Sequence, residues 1–121
     1  MANMKPRVVQ ADQVKLVDMP VEPSGEIASI GGLLVQTPDR RLTGGLWECQ
    51  AGRFDWKMDG DEIAYLFEGS IRITTEEGDT CQIGPGDIAY FPEIMQATWE
   101  ILEPIKMFFV VRTSDPFPPK G

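Results

Sequence analysis

The side chains that could do chemistry in this sequence are carboxylates and two cysteines, because the chain contains no histidine. Histidine is the commonest transition-metal ligand and the usual acid–base group near neutral pH. Its absence excludes Ser-His-Asp and Cys-His nucleophile systems, histidine zinc sites and histidine proton shuttles. We therefore expect Cys49 to be a small buried filler and not a nucleophile.

Glu62 is the carboxylate with the most unusual setting. Alternate side chains of a strand share one face, so Ala64 and Leu66 would lie on its side of the chain. Burying a carboxylate among apolar groups is costly unless it has a partner. The partner could be a bound ligand or one of four nearby side chains. A desolvated Glu62 would have a raised pKa, which makes it the candidate catalytic acid or base. The four side chains are Tyr65, Tyr90, Arg53 and Lys57.

The elements that must position these residues are short strands. The 12 glycines and 10 prolines punctuate the whole chain, and no segment shows sustained helical periodicity with caps at both ends. Alternating or β-branched runs recur between turn signals, at the spacing of a sandwich or barrel. About nine antiparallel strands of this kind bury their inner faces best as a closed or two-sheet barrel. The runs include residues 46–49, 54–58, 62–67, 71–75, 97–102 and 106–111.

A length of 121 residues suits a single domain, 1–121, with a core of its own. We expect the core to cover about residues 30–113, preceded by an N-terminal arm over 1–29. Residues 114–121 contain three prolines and are expected to form an extended C-terminal tail.

The chain is acidic, with a net charge of −8. Such a chain repels phosphate backbones and anionic lipids, so neither nucleic acid nor a membrane is an expected partner. No apolar run approaches the roughly 20 residues of a membrane helix, and the N-terminus lacks the apolar core of a secretory signal. We expect a cytoplasmic protein in which Cys49 and Cys81 are reduced.

Two stretches resemble the conserved motifs of the cupins. Residues 52–69, GRFDWKMDGDEIAYLFEG, are similar to the first motif, and residues 84–101, GPGDIAYFPEIMQATWEI, to the second. The segments GLWEC, FDW, DE and TWE resemble the subgroup of (S)-ureidoglycine aminohydrolase and the ethanolamine-utilisation protein Q-like cupins. The resemblance implies an all-β fold: a single-domain cupin jelly roll (RmlC-like), which is a double-stranded β-barrel.

The resemblance also locates the positions where cupins hold a metal. Two histidines of the first motif would fall on Trp56 and Met58, and the histidine of the second would fall near Ala97. Only Glu62 is retained, and Ile94 replaces a glycine expected after Pro92. One carboxylate is a poor transition-metal site, so we predict no metal and no cofactor. An oxygen-only site of Glu62 with Glu48 or waters is the alternative.

We predict a metal-free cupin of unassigned role that binds a small organic ligand in the barrel. If the former ligand positions point inward, they give an aromatic cavity with Glu62 as its main charged group. The alternative for these side chains is plain core packing. An enzyme of small metabolites, ureidoglycine aminohydrolase-like or ethanolamine-utilisation-like, with Glu62 as acid or base is the alternative function. A structural homodimer paired through edge strands is the second. The predicted ligand contacts are Phe54, Trp56, Met58, Glu62, Tyr65, Ala97 and Trp99.

Overall fold

The structure is a computed structural model that describes residues 5–21 and 25–117. Within these residues eight antiparallel strands and one 3-10 turn, Ala11–Gln13, make up the regular structure. No helix in the described ranges is long and apolar enough to cross a bilayer. The strands are β1 Val17–Asp18, β2 Ser29–Gln36, β3 Leu42–Cys49, β4 Gly52–Lys57, β5 Gly60–Thr75, β6 Thr80–Ile83, β7 Ile88–Phe91 and β8 Gln96–Thr113.

Two long strands, β5 and β8, form the frame of the barrel. They pair from Gly60 opposite Thr113 to Thr75 opposite Ala97, with register shifts between residues 66 and 71. The sequence predicts separate short strands on either side of Gly69. In the structure the runs 62–67 and 71–75 belong to one bent strand, β5, and the runs 97–102 and 106–111 belong to another, β8. The two strands bend together, and their pairing continues through the corner.

The corner of β5 requires a glycine. Gly69 has φ +92°, and a Cβ placed there would lie 2.3 Å from the carbonyl oxygen of Pro104 on β8. A side chain at this position would therefore push the two bent strands apart.

The bend divides the strands between two sheets that face each other. In one, the first half of β5 and the second half of β8 pair with β7 and β3, and β2 and β1 extend the sheet. In the other, the second half of β5 and the first half of β8 pair with β6 and β4. Two antiparallel sheets sharing two strands form the predicted jelly-roll barrel.

The core fills the space between the sheets with alternate residues of every long strand. Leu66, Ile71 and Met107 are among its fully buried side chains. Cys49 also lies in the core, and both it and the exposed Cys81 are free thiols. Cys49 is therefore the buried filler that the sequence predicts.

Described segments on both sides of the barrel strands pack onto the barrel. A Cβ at Gly32 would meet the backbone of Lys15 at 2.6 Å, so residues 14–16 lie against the outer side of β2. At the other end, Phe117 donates its backbone N–H to the carbonyl of Arg40 at 2.8 Å and accepts a hydrogen bond from Gln36 Nε2 at 2.7 Å. The predicted tail thus docks as far as Phe117, and residues 118–121 lie outside the described ranges.

A tight turn joins β6 to β7. Gly86 adopts φ +89°, and the backbone N–H of Asp87 donates to the carbonyl of Gly84 at 3.0 Å. The Asp87 carboxylate accepts a hydrogen bond from the Gly84 N–H at 2.8 Å, and this is the second hydrogen bond between the two residues that close the turn. This turn sets the register with which β7 returns along β5.

Candidate functional site

A partly open cavity of about 90 Å³ lies between the two sheets. Its lining is almost entirely apolar, and Asp59 and Glu62 are its charged residues. Side chains of both sheets, the N-terminal arm and the C-terminal tail contribute to it. They are Met19, Val21, Trp47, Phe54, Trp56, Met58, Asp59, Glu62, Trp99, Met107, Phe109, Val111 and Phe117.

Four aromatic rings form a connected cluster at the cavity wall. Phe54 stacks on Trp99 with ring centroids 6.1 Å apart and an interplanar angle of 17°. Trp47 and Trp56 stand nearly perpendicular to Phe54, with centroid distances of 6.4 and 6.2 Å. Edge-to-face and offset pairs of this kind hold each ring in a fixed orientation. The wall is therefore an ordered aromatic surface.

Two of the indole N–H groups differ in their partners. Trp47 donates to the Ser29 hydroxyl, which fixes the ring from β2. The Trp99 Nε1 atom is buried and has no acceptor among the described residues. Buried donors are usually paired, so Trp99 is an exception within the ordered wall.

Glu62 lies on β5 opposite Phe91 and Val111, and its side chain faces the cavity. Within the described ranges its carboxyl group has no hydrogen-bond or ion-pair partner. Burial, with a smaller contribution from the nearby charge of Asp59, raises the pKa of Glu62 from 4.5 to about 7. The carboxyl group is thus poised to gain or lose a proton near neutral pH.

The protein side chains predicted as partners of Glu62 all lie elsewhere, so that expectation is wrong. Tyr90 donates its hydroxyl to Asp61 at 3.0 Å. Arg53 and Lys57 are exposed and alternate along β4 with inward-facing neighbours.

Most of the predicted ligand contacts meet at the cavity. Phe54, Trp56, Met58, Glu62 and Trp99 all line it, because β4, β5 and β8 present the expected alternate residues to the barrel interior.

Two predicted contacts do not line the cavity and are corrected. Ala97 is buried, but it lines a separate open groove beside Thr75. Tyr65 is 37% exposed and packs its ring on Phe67 on the outer surface, because it lies three positions along β5 from Glu62 and therefore on the opposite face of the strand.

Sequence reasoning missed the residues that close the cavity. Trp47, Met107 and Phe109 sit on strands that the sequence does indicate, and their alternation with outward residues could have identified them. Met19, Val21 and Phe117 lie outside the predicted core, and no periodicity marks them.

The residues at the family's metal positions do not fit a transition metal. Trp56 and Met58 offer no imidazole, and no three His, Cys, Asp or Glu side chains cluster in the described part of the chain. Glu48 alternates with the inward Trp47 and Cys49 and pairs with Lys106, so it faces outward. The alternative site of Glu62 with Glu48 is therefore not formed.

Cys49 is equally unsuited to nucleophilic chemistry. Burial raises the pKa of its thiol to about 11, and its Sγ donates to the Gln50 carbonyl at 3.4 Å. The thiol therefore stays protonated at neutral pH. Of the two carboxyl groups that line the cavity, Glu62 is the one whose pKa is shifted towards neutrality.

Comparison with known proteins gives a consistent picture. The sequence model of the EutQ-like cupin domain matches residues 36–109. A DUF861 family protein of Thermotoga maritima is 35% identical over 55% of this chain and 75% of its own, with a TM-score of 0.54. The comparison with curated proteins gives no match.

More distant structures show the same fold. The EutQ protein of Clostridium difficile has a TM-score of 0.75 at 20% identity, covering 89% of this chain and 87% of its own. An RmlC-like cupin of Shewanella frigidimarina has a TM-score of 0.69 at 10% identity, covering 91% and 93%. The predicted cupin jelly roll is thereby confirmed. Since the family model spans more than half of its length, this chain belongs to the EutQ-like cupin family.

Proposed function

We propose that this cupin binds a small organic ligand in the barrel cavity without a metal. The observation that carries the proposal is Glu62, a carboxyl group that faces an aromatic cavity with no partner among the described residues. Glu62 is half-buried, and a core built only for packing would place an apolar side chain here, because removing a carboxylate from water without giving it a partner is unfavourable. A ligand that pairs with Glu62 accounts for the presence of a carboxylate at this position.

The cavity limits the size of such a ligand. Its volume is about 90 Å³, against the roughly 10–15 Å³ that a cavity needs to hold a single water. That is smaller than the cavities of drug-sized ligands, which begin at about 300 Å³. We therefore expect a metabolite of only a few non-hydrogen atoms.

A thermal-shift screen of small metabolites tests the proposal. A ligand of the cavity should raise the melting temperature of the native chain and leave that of Glu62→Gln unchanged. Glu77→Gln is the matched control, because it removes the same charge from an exposed hairpin loop. Binding at Glu62 would be contradicted if a compound stabilised all three proteins equally, or if no compound stabilised the native chain.

A second candidate function is catalysis by Glu62 as a general acid or base. The observation that favours it is the pKa of about 7, because acid–base catalysts work best when their pKa lies near the working pH. On this proposal a compound that binds the cavity is also consumed. Product formation followed by nuclear magnetic resonance, with Glu62→Gln as the inactive variant, separates an enzyme from a binding protein.

We also propose that two copies pair through an exposed apolar surface on the outer side of β5 and β7, here named the β5–β7 patch. Its residues occupy adjacent register positions, with Ile63 opposite Tyr90 and Tyr65 opposite Ile88. Two chains of charge −8 repel each other over most of their surfaces, whereas the patch itself carries no charge. The patch consists of Ile63, Tyr65, Phe67, Ile88 and Tyr90.

A two-fold pair suits this surface because identical apolar patches complement each other. The ion pair of Arg112 with Asp61, 3.2 Å apart, lies beside it and is neutral as a pair. Contiguous exposed apolar surfaces commonly mark sites of association. The structural homodimer and the ligand site are compatible, since the patch and the cavity lie on opposite sides of the same sheet.

The cytoplasm is the location we propose, with neither nucleic acid nor a membrane as partner. The net charge of −8 supports this, because it opposes binding to phosphate backbones and anionic lipids. The free thiols of Cys49 and Cys81 fit a reducing compartment.

A further inference from the structure

The charges that line the cavity all have one sign. Asp59 and Glu62 contribute carboxyl groups, and no lysine or arginine is part of the described lining. Two of the arginines pair with carboxylates elsewhere, Arg112 with Asp61 and Arg72 with Glu100. The cavity therefore has acidic groups and no cation of its own to balance them. Such an interior favours a positively charged guest and disfavours an anion.

The aromatic content of the wall supports the same charge preference. All three tryptophans of the chain, Trp47, Trp56 and Trp99, line this cavity together with three phenylalanines. A cation within about 6 Å of a ring centroid is attracted by the electron-rich ring face, most strongly by tryptophan. The ring centroids of Trp47, Trp56 and Trp99 lie 6.1 to 6.4 Å from that of Phe54, so a guest beside this cluster is close to several rings.

The lining offers few hydrogen bonds to a neutral polar guest. A sugar or an amide needs several donors and acceptors, whereas the polar groups here are the carboxyl groups of Asp59 and Glu62 and the indole N–H of Trp99, since that of Trp47 is paired with Ser29. A purely apolar guest would leave Glu62 desolvated and unpaired. An anion would meet the acidic groups without a basic side chain to offset them. An organic cation is the ligand class that uses both the rings and the carboxylate.

We propose that the ligand of this cavity is a short organic ammonium ion, paired with Glu62 and enclosed by the tryptophan and phenylalanine rings. This inference rests on the proposed function, since it names the ligand class of the same site. The cavity volume of about 90 Å³ restricts the ion to a compact group such as a branched alkylammonium. Methionines 19, 58 and 107 complete the wall with flexible thioether groups that adapt to the shape of a guest.

Four compact probes, each built on a central carbon or nitrogen that carries at least three methyl groups, test the charge preference. They are tert-butylammonium, tetramethylammonium, the neutral tert-butanol and the anion trimethylacetate. Binding is measured by intrinsic fluorescence, because every tryptophan lines the cavity, and by calorimetry at pH 8, where Glu62 is ionised. We expect the ammonium ions to bind about tenfold or more tightly than tert-butanol, as a charge-assisted hydrogen bond or a set of cation–π contacts would give.

Variants of the wall and of the carboxylate complete the test. Glu62→Gln should remove the preference for ammonium over tert-butanol while tert-butanol still binds. Trp56→Phe should retain part of the affinity for the ammonium ions. Trp56→Leu should reduce the affinity for the ammonium ions by a factor at least about fivefold larger than the factor for tert-butanol. Far-ultraviolet circular dichroism and the unfolding midpoint confirm that each variant is folded.

The outcomes separate this inference from the proposed function. If tert-butanol or trimethylacetate binds as tightly as the ammonium ions, and Glu62→Gln changes no affinity ratio, the ligand is not a cation although the cavity still binds guests. If no probe and no screened metabolite binds the native chain, both the ligand class and the binding function are wrong. Selective ammonium binding that depends on Glu62 and Trp56 supports both.

Discussion

Asp61 and Glu62 are consecutive on β5, yet their carboxyl groups lie on opposite sides of the barrel wall. On the outside, Asp61 accepts hydrogen bonds from the backbone N–H of Glu93 and the hydroxyl of Tyr90, each at 3.0 Å, and from Arg112 at 3.2 Å. These bonds lower the pKa of Asp61. Glu62 faces the cavity without such donors, and burial raises its pKa to about 7. The alternation of a single strand thus keeps one carboxylate ionised and disfavours ionisation of the next.

The raised pKa of Glu62 predicts that the fold loses stability as the pH rises. Between pH 4.5 and about 7 the native chain keeps a proton that the unfolded chain releases, so the free energy of unfolding falls across that interval. The fall is up to about 3 kcal/mol at 1.36 kcal/mol for each pKa unit. Urea unfolding at pH 5, 6, 7 and 8 measures it.

Glu62→Gln should flatten this dependence and be more stable than the native chain at pH 8. Glu77→Gln, the exposed control, should follow the native curve. A Glu62→Gln profile that parallels the native one would show that Glu62 titrates normally.

Gly69 is predicted to tolerate no side chain, and Gly78 supplies the matched control. Both have strongly positive φ angles, +92° and +94°, but a Cβ at Gly78 meets nothing within 4 Å. Gly78→Ala should therefore cost only the backbone strain, about 1 kcal/mol. Gly69→Ala should cost about 3 kcal/mol or more, because its Cβ also collides with the Pro104 carbonyl. Equal losses in chemical denaturation would mean that the corner has room.

Ile94 is predicted to hold the chain in an unfavourable conformation. It has φ +63°, a rare value for a β-branched residue, and its side chain is 69% exposed. Ile94→Gly should raise the free energy of unfolding by about 0.5–1 kcal/mol, since the relief of strain exceeds the entropy that glycine loses. Ile94→Val keeps the β-branch and should leave stability unchanged. A destabilised Ile94→Gly would show that the isoleucine side chain makes a stabilising contact.

The β5–β7 patch predicts a concentration-dependent homodimer. Ile88 is 73% exposed near the middle of this surface. Ile88→Asp places a charge opposite its own copy across the two-fold interface, so it should convert the dimer to a monomer in light scattering and sedimentation. Glu77→Asp, outside the patch, serves as the control. A native chain that stays monomeric at high concentration would contradict the homodimer, and a dimer that survives Ile88→Asp would place it elsewhere.

The alternation of apolar residues predicted much of the candidate site. Phe54, Trp56, Glu62 and Trp99 reach one cavity because each faces inward on its strand, which a period of two residues reveals directly. Met58 lies one residue beyond β4 and continues the alternation of Phe54 and Trp56. The same period should have moved Tyr65 to the outside, since it is three residues from Glu62. Tyr65 and Glu62 lie on opposite faces of β5, so a hydrogen bond between their side chains conflicts with the strand geometry.

The features of the fold that could not be predicted from the sequence depend on pairing between distant segments. The signal of a turn at Gly69 is the same for a hairpin and for a bend, and only the continued pairing with β8 distinguishes them. The docking of Phe117 likewise depends on hydrogen bonds to Gln36 and Arg40, far away in the sequence. Neither segment has a local period from which such contacts could be inferred.

The sharing of β5 and β8 between the two sheets has a consequence for folding. Neither sheet can melt while the other persists, because both would lose the same two strands. The barrel should consequently unfold in one all-or-none transition, with calorimetric and van't Hoff enthalpies that agree. Amide protons on both sides of the corner should exchange with solvent only through this global opening.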